Sequence, residues 1–209
     1  MPPSLSLRGR FNSWILDVGE SNMDRIYGRR KRALFRDLPR EIVEIGPGPG
    51  ANLRYYAPGT RVIAIEPNPA MHPRLRDNAA RHGVDLEIRG IRGEAIDLPD
   101  ASCEAVVGTL VLCTVEDPHR VVAEVYRILK PGGRFLFVEH VAAPRGTGLR
   151  AVQDAIHGPW RWLFEGCNPN RSTHLLLKEA GFSEIEMDCF QLRVPFVPVR
   201  PHISGRAVK

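Results

Sequence analysis

The sequence predicts an α/β fold: a Rossmann-like, seven-stranded, mostly parallel sheet with an antiparallel C-terminal strand and helices on both faces. Three observations predict it. Short apolar runs alternate with stretches of helical periodicity. The first run, Ile42-Val43-Glu44-Ile45, leads straight into Gly46-Pro47-Gly48-Pro49-Gly50, and the second, Val62-Ile63-Ala64-Ile65, ends on Glu66. Strand, glycine turn, helix start and a second strand with an acidic tip make the first βαβ unit of a nucleotide-type fold. Lastly, Pro195, Pro198 and Pro201 separate the final two apolar runs. That is too little chain for a helical crossover, so those strands should pair antiparallel.

Length and composition fit this reading. The 209 residues suit one domain, 1–209, with 1–38 as an N-terminal helical cap. Hydrophobic residues make up 43% and charged residues 25%, a globular rather than a disordered balance. No apolar run approaches the ~18 residues that span a bilayer, and no secretory signal is visible. Cys103, Cys113, Cys167 and Cys189 are scattered without a CxxC pair. They are expected to be reduced and mostly buried, in a cytoplasmic protein.

The net charge of +5 is partly local, since Arg25, Arg29, Arg30, Lys31, Arg32, Arg36 and Arg40 crowd one segment. Peripheral membrane contact is one reading of this basic stretch. The solvated face of an amphipathic helix is the plainer one. Aromatics placed to stack RNA bases are missing from the strands, so no nucleic-acid partner is expected.

The elements follow in order. Phe11, Trp14, Ile15 and Leu16 are expected to dock on the domain or cap the site. Residues 22–38 read as a helix, with Met23, Ile26, Tyr27, Ala33, Leu34 and Leu38 on one face, ended by Pro39. Strand one is expected at 41–45, a short helix from Ala51 to the Pro58-Gly59 break, and strand two at 61–65. Pro67 and Pro69 mark a helix start that runs to Arg81. Leu86-Glu87-Ile88 is a third strand, and 93–99 a loop over the sheet top. Cys103 to Leu112 reads as a buried parallel strand with its exit loop. A helix should run from Asp117 through Leu129, then a sharp turn at Lys130-Pro131-Gly132-Gly133 and a strand at 134–138. Helices are expected at 149–164 and 171–180, and strands at 184–190 and 202–208.

The glycine loop fits two templates. Gly46-x-Gly48-x-x-Ala51 with Glu66 satisfies the dinucleotide pattern. The same residues fit the E/D-x-G-x-G-x-G loop of S-adenosylmethionine enzymes. Glu44, two residues before the first glycine, can face the ammonium of a methionine moiety, where a pyrophosphate would be repelled. Pro67-Asn68 supplies groups beside a ribose and an adenine edge, and Glu94 can accept from an adenine amino group. The Lys130-Pro131-Gly132-Gly133 turn and the antiparallel end are not features of the dinucleotide fold.

On these residues the chain resembles a class I S-adenosylmethionine-dependent methyltransferase over about 41–140. Within that class it is similar to the methyltransferase-like seven branch, the thiol S-methyltransferases. That likeness is carried by Thr109-Leu110-Val111-Leu112-Cys113, Leu129-Lys130-Pro131-Gly132-Gly133 and Glu139-His140-Val141-Ala142-Ala143. It continues in Pro159-Trp160, Leu163 to Asn168, and Arg200-Pro201-His202-Ile203. The resemblance implies that Glu66 holds the ribose, while Glu44 and Gly46, Pro47, Gly48, Gly50 and Asn52 hold the methionine end. It implies that Pro67, Asn68, Gly93, Glu94 and Ala95 flank ribose and adenine, and that Thr109 and Leu110 line the sulfonium pocket.

On the acceptor side, a thiol with a pKa near ~8.5 needs only a modest base or positive charge. His140, past the carboxyl end of strand five, is the candidate base, or else a histidine bonded to a neighbouring loop. Asp154 and His157 share a helix at i, i+3 and face either the pocket or solvent. Trp160 and Phe164 wall an apolar acceptor pocket or pack the core. Cys167 and Asn168 complete the candidate acceptor residues. No metal-ligand spacing is present, so no metal is expected.

The leading expectation is methyl transfer to a small molecule, a thiol first, with quinone C- or amine N-methylation as alternatives. An NAD-dependent oxidoreductase and a non-catalytic RNA- or cofactor-binding protein are the readings from other classes.

Overall fold

The computed structural model describes residues 24–164, 166–192 and 197–209. Strands β1 (Glu41–Ile45), β2 (Arg61–Ile65), β3 (Asp85–Arg89), β4 (Cys103–Thr109), β5 (Leu129–His140), β6 (Glu184–Gln191) and β7 (Pro201–Val208) form one sheet. Its order is β3-β2-β1-β4-β5-β7-β6. The first five strands pair in parallel, and β7 runs antiparallel between β5 and β6. The order reverses between β1 and β4, the switch point at whose carboxyl ends open α/β sheets bind ligands.

Helices cover both faces because alternate strand residues point opposite ways and both sets are apolar. Ile42, Val62 and Ala64 pack on Leu75 and Ala79 of α2 (His72–His82), with Leu53 and Phe35 beside them. Phe35 follows α1, whose described residues are 24–34. Val43, Ile45, Ile63 and Ile65 pack on Val121, Val122 and Val125 of α3 (Pro118–Ile128) and Leu176 and Leu177 of α5 (Thr173–Glu179). Each fully buried valine, leucine or isoleucine among them contributes roughly 1.5–3 kcal/mol. The last helix, α4, spans Gly148–Leu163.

Three local expectations change. The helix after Ala51 is only a 3-10 turn at Leu53–Tyr55, because Asn52 spends its side chain on the site instead of capping. Helix α2 begins at His72 with Pro73 in its first turn, so the chain from Pro67 to Met71 is left irregular beside the cavity. The turn at 130–133 lies inside β5 as a bulge, where pairing jumps from Cys103–Leu129 to Ala105–Arg134. Gly132 takes φ 76° there and its N–H donates to the carbonyl of Lys209. Strand β4 stops at Thr109 and its exit turn begins at Leu110, the strand and exit loop expected over Cys103 to Leu112. The expectations for Phe11, Trp14, Ile15, Leu16, Met23 and Pro195 lie outside the described residues.

Candidate active site

A cavity of about 420 Å³ opens at the carboxyl ends of β1, β2 and β4. Gly46, Glu66, Pro67, Asn68, Gly93, Glu94 and Leu110 line it, with Ile45, Ile65 and Val111 as its apolar floor. Glu66 organises one wall. One carboxylate oxygen accepts from Gly48 N–H at 2.9 Å and the other from Asn68 N–H at 2.9 Å. Each oxygen keeps lone-pair capacity for a ribose hydroxyl. The glycines differ in their reasons. At Gly46, with φ 60°, an added Cβ would collide with Val111 Cγ2. At Gly48, with φ 56°, a Cβ would meet nothing within 4 Å, so its constraints are the left-handed backbone and the ligand space.

Behind this wall lies a buried polar chain. The Glu44 carboxylate accepts from Asn52 Nδ2 at 2.7 Å and Tyr56 O–H at 2.9 Å. Asn52 Nδ2 also donates to Thr109 Oγ1 at 2.9 Å, and Asn52 Oδ1 accepts from Lys31 Nζ at 2.7 Å. Burial pushes the Glu44 carboxyl up, against the pull of the Asn52 and Tyr56 hydrogen bonds. Glu44 therefore sits behind Asn52 and does not line the open cavity. Lys31 was missed. Counted with the basic face of the helix, it is only 3% exposed, and burial pushes its ammonium down to about 8. Its signal was faint: one lysine among arginines, at the helical spacing of the apolar Tyr27 and Leu34. Others of the basic set have local partners too, Arg30 with Asp188 and Arg32 with Asp24.

Two more acids fasten loops. Glu139, fully buried on β5, accepts from the N–H groups of Val111, Leu112 and Cys113 at 2.9, 3.0 and 3.4 Å. Burial pushes its carboxyl up to about 7, with those N–H groups opposing. It holds the turn in which Leu110 takes φ 54°, an uncommon conformation for leucine, at the cavity wall. Glu139 belongs to a segment that carries the family likeness, but its position alone reads as an ordinary strand-end acid. Glu94 accepts from Glu116 and Asp117 N–H, so it ties the loop after β3 to the start of α3 while lining the cavity. Ala95 is exposed and does not line it.

The acceptor candidates gather at the ends of β4 and β5. His140 Nε2 lies 3.1 Å from Cys167 Sγ, and Trp160 Nε1–H donates to the same sulfur at 3.3 Å. Cys113 Sγ donates to the Leu110 carbonyl at 3.4 Å and lies within 4.8 Å of Cys167 Sγ. The neighbouring sulfur together with burial holds the Cys113 thiol above the ordinary range, while Cys113, His140 and Trp160 hold Cys167 below it. Asn168 donates to the Cys113 carbonyl through both its backbone and its side chain, and accepts at Oδ1 from His157 Nε2, 2.7 Å away. The Trp160 and Phe164 rings lie 4.2 Å apart between centroids. His140 is thus engaged by Cys167 through Nε2, while its buried Nδ1 has no partner among the described residues. Asp154 does not join this group. It is half-exposed and held by Arg150 at 2.9 Å and Asn170 at 2.8 Å, the solvent-facing of the two readings of this catalytic candidate.

A methyltransferase domain model matches residues 43–137, the span from β1 through most of β5. Thiol S-methyltransferase TMT1A of Homo sapiens is 39% identical over 191 residues, covering 86% of this chain and 78% of the relative. Thiol S-methyltransferase TMT1B of Homo sapiens is 40% identical over the same length and coverage. The chain belongs to the thiol S-methyltransferase branch of the S-adenosylmethionine-dependent methyltransferases. A putative methyltransferase of Bacillus halodurans shares the fold with a TM-score of 0.68 at 19% identity, over 86% of this chain and 98% of that one. The cofactor of this methyltransferase is S-adenosylmethionine. The cavity suits it, with an acidic tip at Glu66 for ribose hydroxyls and an apolar floor for adenine. No described helix of the methyltransferase is long and apolar enough to cross a membrane.

Proposed function

We propose that this methyltransferase transfers the methyl group of S-adenosylmethionine to the sulfur of a small-molecule thiol. The observation that carries the reading is the identity to thiol S-methyltransferases across 86% of the chain, a span that includes the acceptor cluster as well as the cofactor loop. The acceptor thiol gives up its proton, and its sulfur attacks the methyl carbon in line. The bond from that carbon to the sulfonium breaks, its electron pair returns to the cofactor sulfur, and adenosylhomocysteine and a thioether leave. The leaving group is already good, so the protein's task is alignment and desolvation.

The residues supporting that task are those of the acceptor cluster. Glu139 fixes the 110–113 turn, Asn168 ties the 166–170 loop to Cys113, and Arg171 donates to the carbonyls of Leu112 and Val115 at 2.6 and 2.8 Å. The Trp160 N–H and the half-buried Arg171 guanidinium favour negative charge on sulfur there.

The test is isotopic methyl transfer to a panel of thiols, amines, phenols and quinones. Label in thioethers, absent when adenosylmethionine is replaced by adenosylhomocysteine, is expected. Labelled amines or quinone carbons with thiols untouched would sink the thiol acceptor and leave the methyltransferase assignment standing.

A further inference from the structure

We propose that Cys113, His140 and Cys167 form an open site for a thiophilic d10 cation, Zn²⁺ foremost, whose fourth position takes the sulfur of the methyl acceptor. The inference rests on the thiol reading above for the occupant of that fourth position. The three protein ligands stand on their geometry alone.

Two thiol sulfurs and one imidazole nitrogen lie within 4.8 Å of one another. Zinc takes sulfur at about 2.3 Å and nitrogen at about 2.0 Å, so donors around it sit roughly 3.5 Å apart. Closing the observed cluster onto an ion therefore needs shifts of about an ångström or less, chiefly side-chain rotations. Cys113 is buried on the β4 exit turn, His140 ends β5 at 5% exposure, and Cys167 lies in the loop after α4. His140 and Cys167 are 27 residues apart in sequence, which is why no ligand spacing is legible there. Three separate segments bring the donors to one point.

The surroundings suit a cation with an exchangeable position. Trp160 Nε1–H donates to Cys167 Sγ, the kind of outer contact that steadies a ligating thiolate. Glu139 is not free to ligate, because backbone N–H groups of Val111, Leu112 and Cys113 occupy its carboxylate. Among the described residues the cluster thus offers three donors, the number that marks a catalytic zinc site rather than a closed structural one. Cys113 Sγ lies 3.5 Å from Thr114 Oγ1, and Thr114 lines the cofactor cavity, so a fourth ligand would sit beside the methyl donor.

The chemistry balances without a further reagent. A thiol that binds the cation gives its proton to solvent and becomes a thiolate at neutral pH. That sulfur attacks the methyl carbon, the electron pair of the broken bond returns to the cofactor sulfur, and the cation is unchanged. The product thioether carries no charge and binds the cation weakly, so it leaves.

The full chain, reduced and stripped of metal by chelation, is titrated with Zn²⁺ against a chromophoric chelator and with Co²⁺ by visible absorption. One equivalent is expected to bind, with thiolate-to-cobalt charge-transfer bands and tetrahedral d–d bands. Binding should be lost in Cys113→Ser, Cys167→Ser and His140→Gln, and weakened about tenfold in Trp160→Phe. Circular dichroism and adenosylhomocysteine titration report whether each variant is folded. Sub-stoichiometric binding, or binding unmoved in folded ligand variants, overturns the site. So does a Cys113–Cys167 disulfide that persists in the active protein. Adding a small thiol to the cobalt protein should shift the d–d bands, and stripping should cut thiol methylation until Zn²⁺ is restored. Thiol methylation that survives stripping overturns this inference and leaves the proposed function intact. Methylation of amines alone, with cobalt bands unmoved by thiols, overturns the acceptor role while the three-ligand site stands on its own titration.

Discussion

Lys31 Nζ donates to Asn52 Oδ1 at 2.7 Å, joining the N-terminal helix to the carboxamide that also holds Glu44 and Thr109. The ammonium keeps its proton to about 10.5 in the unfolded chain and releases it near 8 when folded, because burial disfavours the charge. Between those values the unfolded state binds more protons, so stability contributed by this group rises with pH, and it is lost as pH falls through about 8. Denaturant unfolding of the protein and of Lys31→Met at pH 7 and pH 10 should show the difference between them moving toward the parent by at most about 3 kcal/mol. A pH-independent difference would place Lys31 in water.

Glu66 accepts from Gly48 N–H through one carboxylate oxygen and from Asn68 N–H through the other. Glu66→Gln replaces one acceptor oxygen by an amide that faces an N–H. Each charge-assisted bond is worth about 1.5–3 kcal/mol, so adenosylhomocysteine affinity should fall at least about tenfold, as calorimetry would read. Unchanged affinity would remove Glu66 from the ligand site.

Gly46 and Gly48 separate packing from ligand space. Alanine at Gly48 incurs backbone strain of about 1–2 kcal/mol and no collision in the free protein. Alanine at Gly46 adds a clash with Val111 to a similar strain. Gly48→Ala should keep a melting temperature within several degrees of the parent while losing cofactor binding. Gly46→Ala should lose both. Equal melting losses in the two variants would contradict the open space at Gly48.

Gly205 sits in β7 opposite Met187 of β6 and Phe137 of β5. A Cβ there would run into the carbonyl oxygen of Glu186. Gly205→Ala should destabilise by roughly 3 kcal/mol or more, or fail to fold, because both neighbours are backbone that cannot rotate away. A parent-like denaturation midpoint would show that β6 and β7 part to admit the methyl group.

Local chemistry left a clear trace in the sequence wherever a feature is made by neighbours along the chain. The apolar runs at 41–45 and 61–65 became β1 and β2 with the same bounds, because parallel strands buried on both faces must be apolar throughout. Asp117-Pro118 marked the start of α3, where the Asp117 carboxylate accepts from His119 and Arg120 N–H. The glycine loop and Glu66 were legible for the same reason: Glu66 bonds Gly48 and Asn68, and all three belong to one strand–turn–strand unit. Other features depend on contacts between distant segments. Lys31 reads as one more basic helix residue until α1 lies over Asn52, and burial then makes it a buried cation. Asp154 and His157 look equivalent on one helix, yet packing leaves Asp154 with Arg150 in water and brings His157 to Asn168. Cys113, His140 and Cys167 share no motif. They meet because the β4 exit turn, the end of β5 and the loop after α4 converge at the carboxyl edge of the sheet, and hydrophobic burial of β4 and β5 places the first two of those segments.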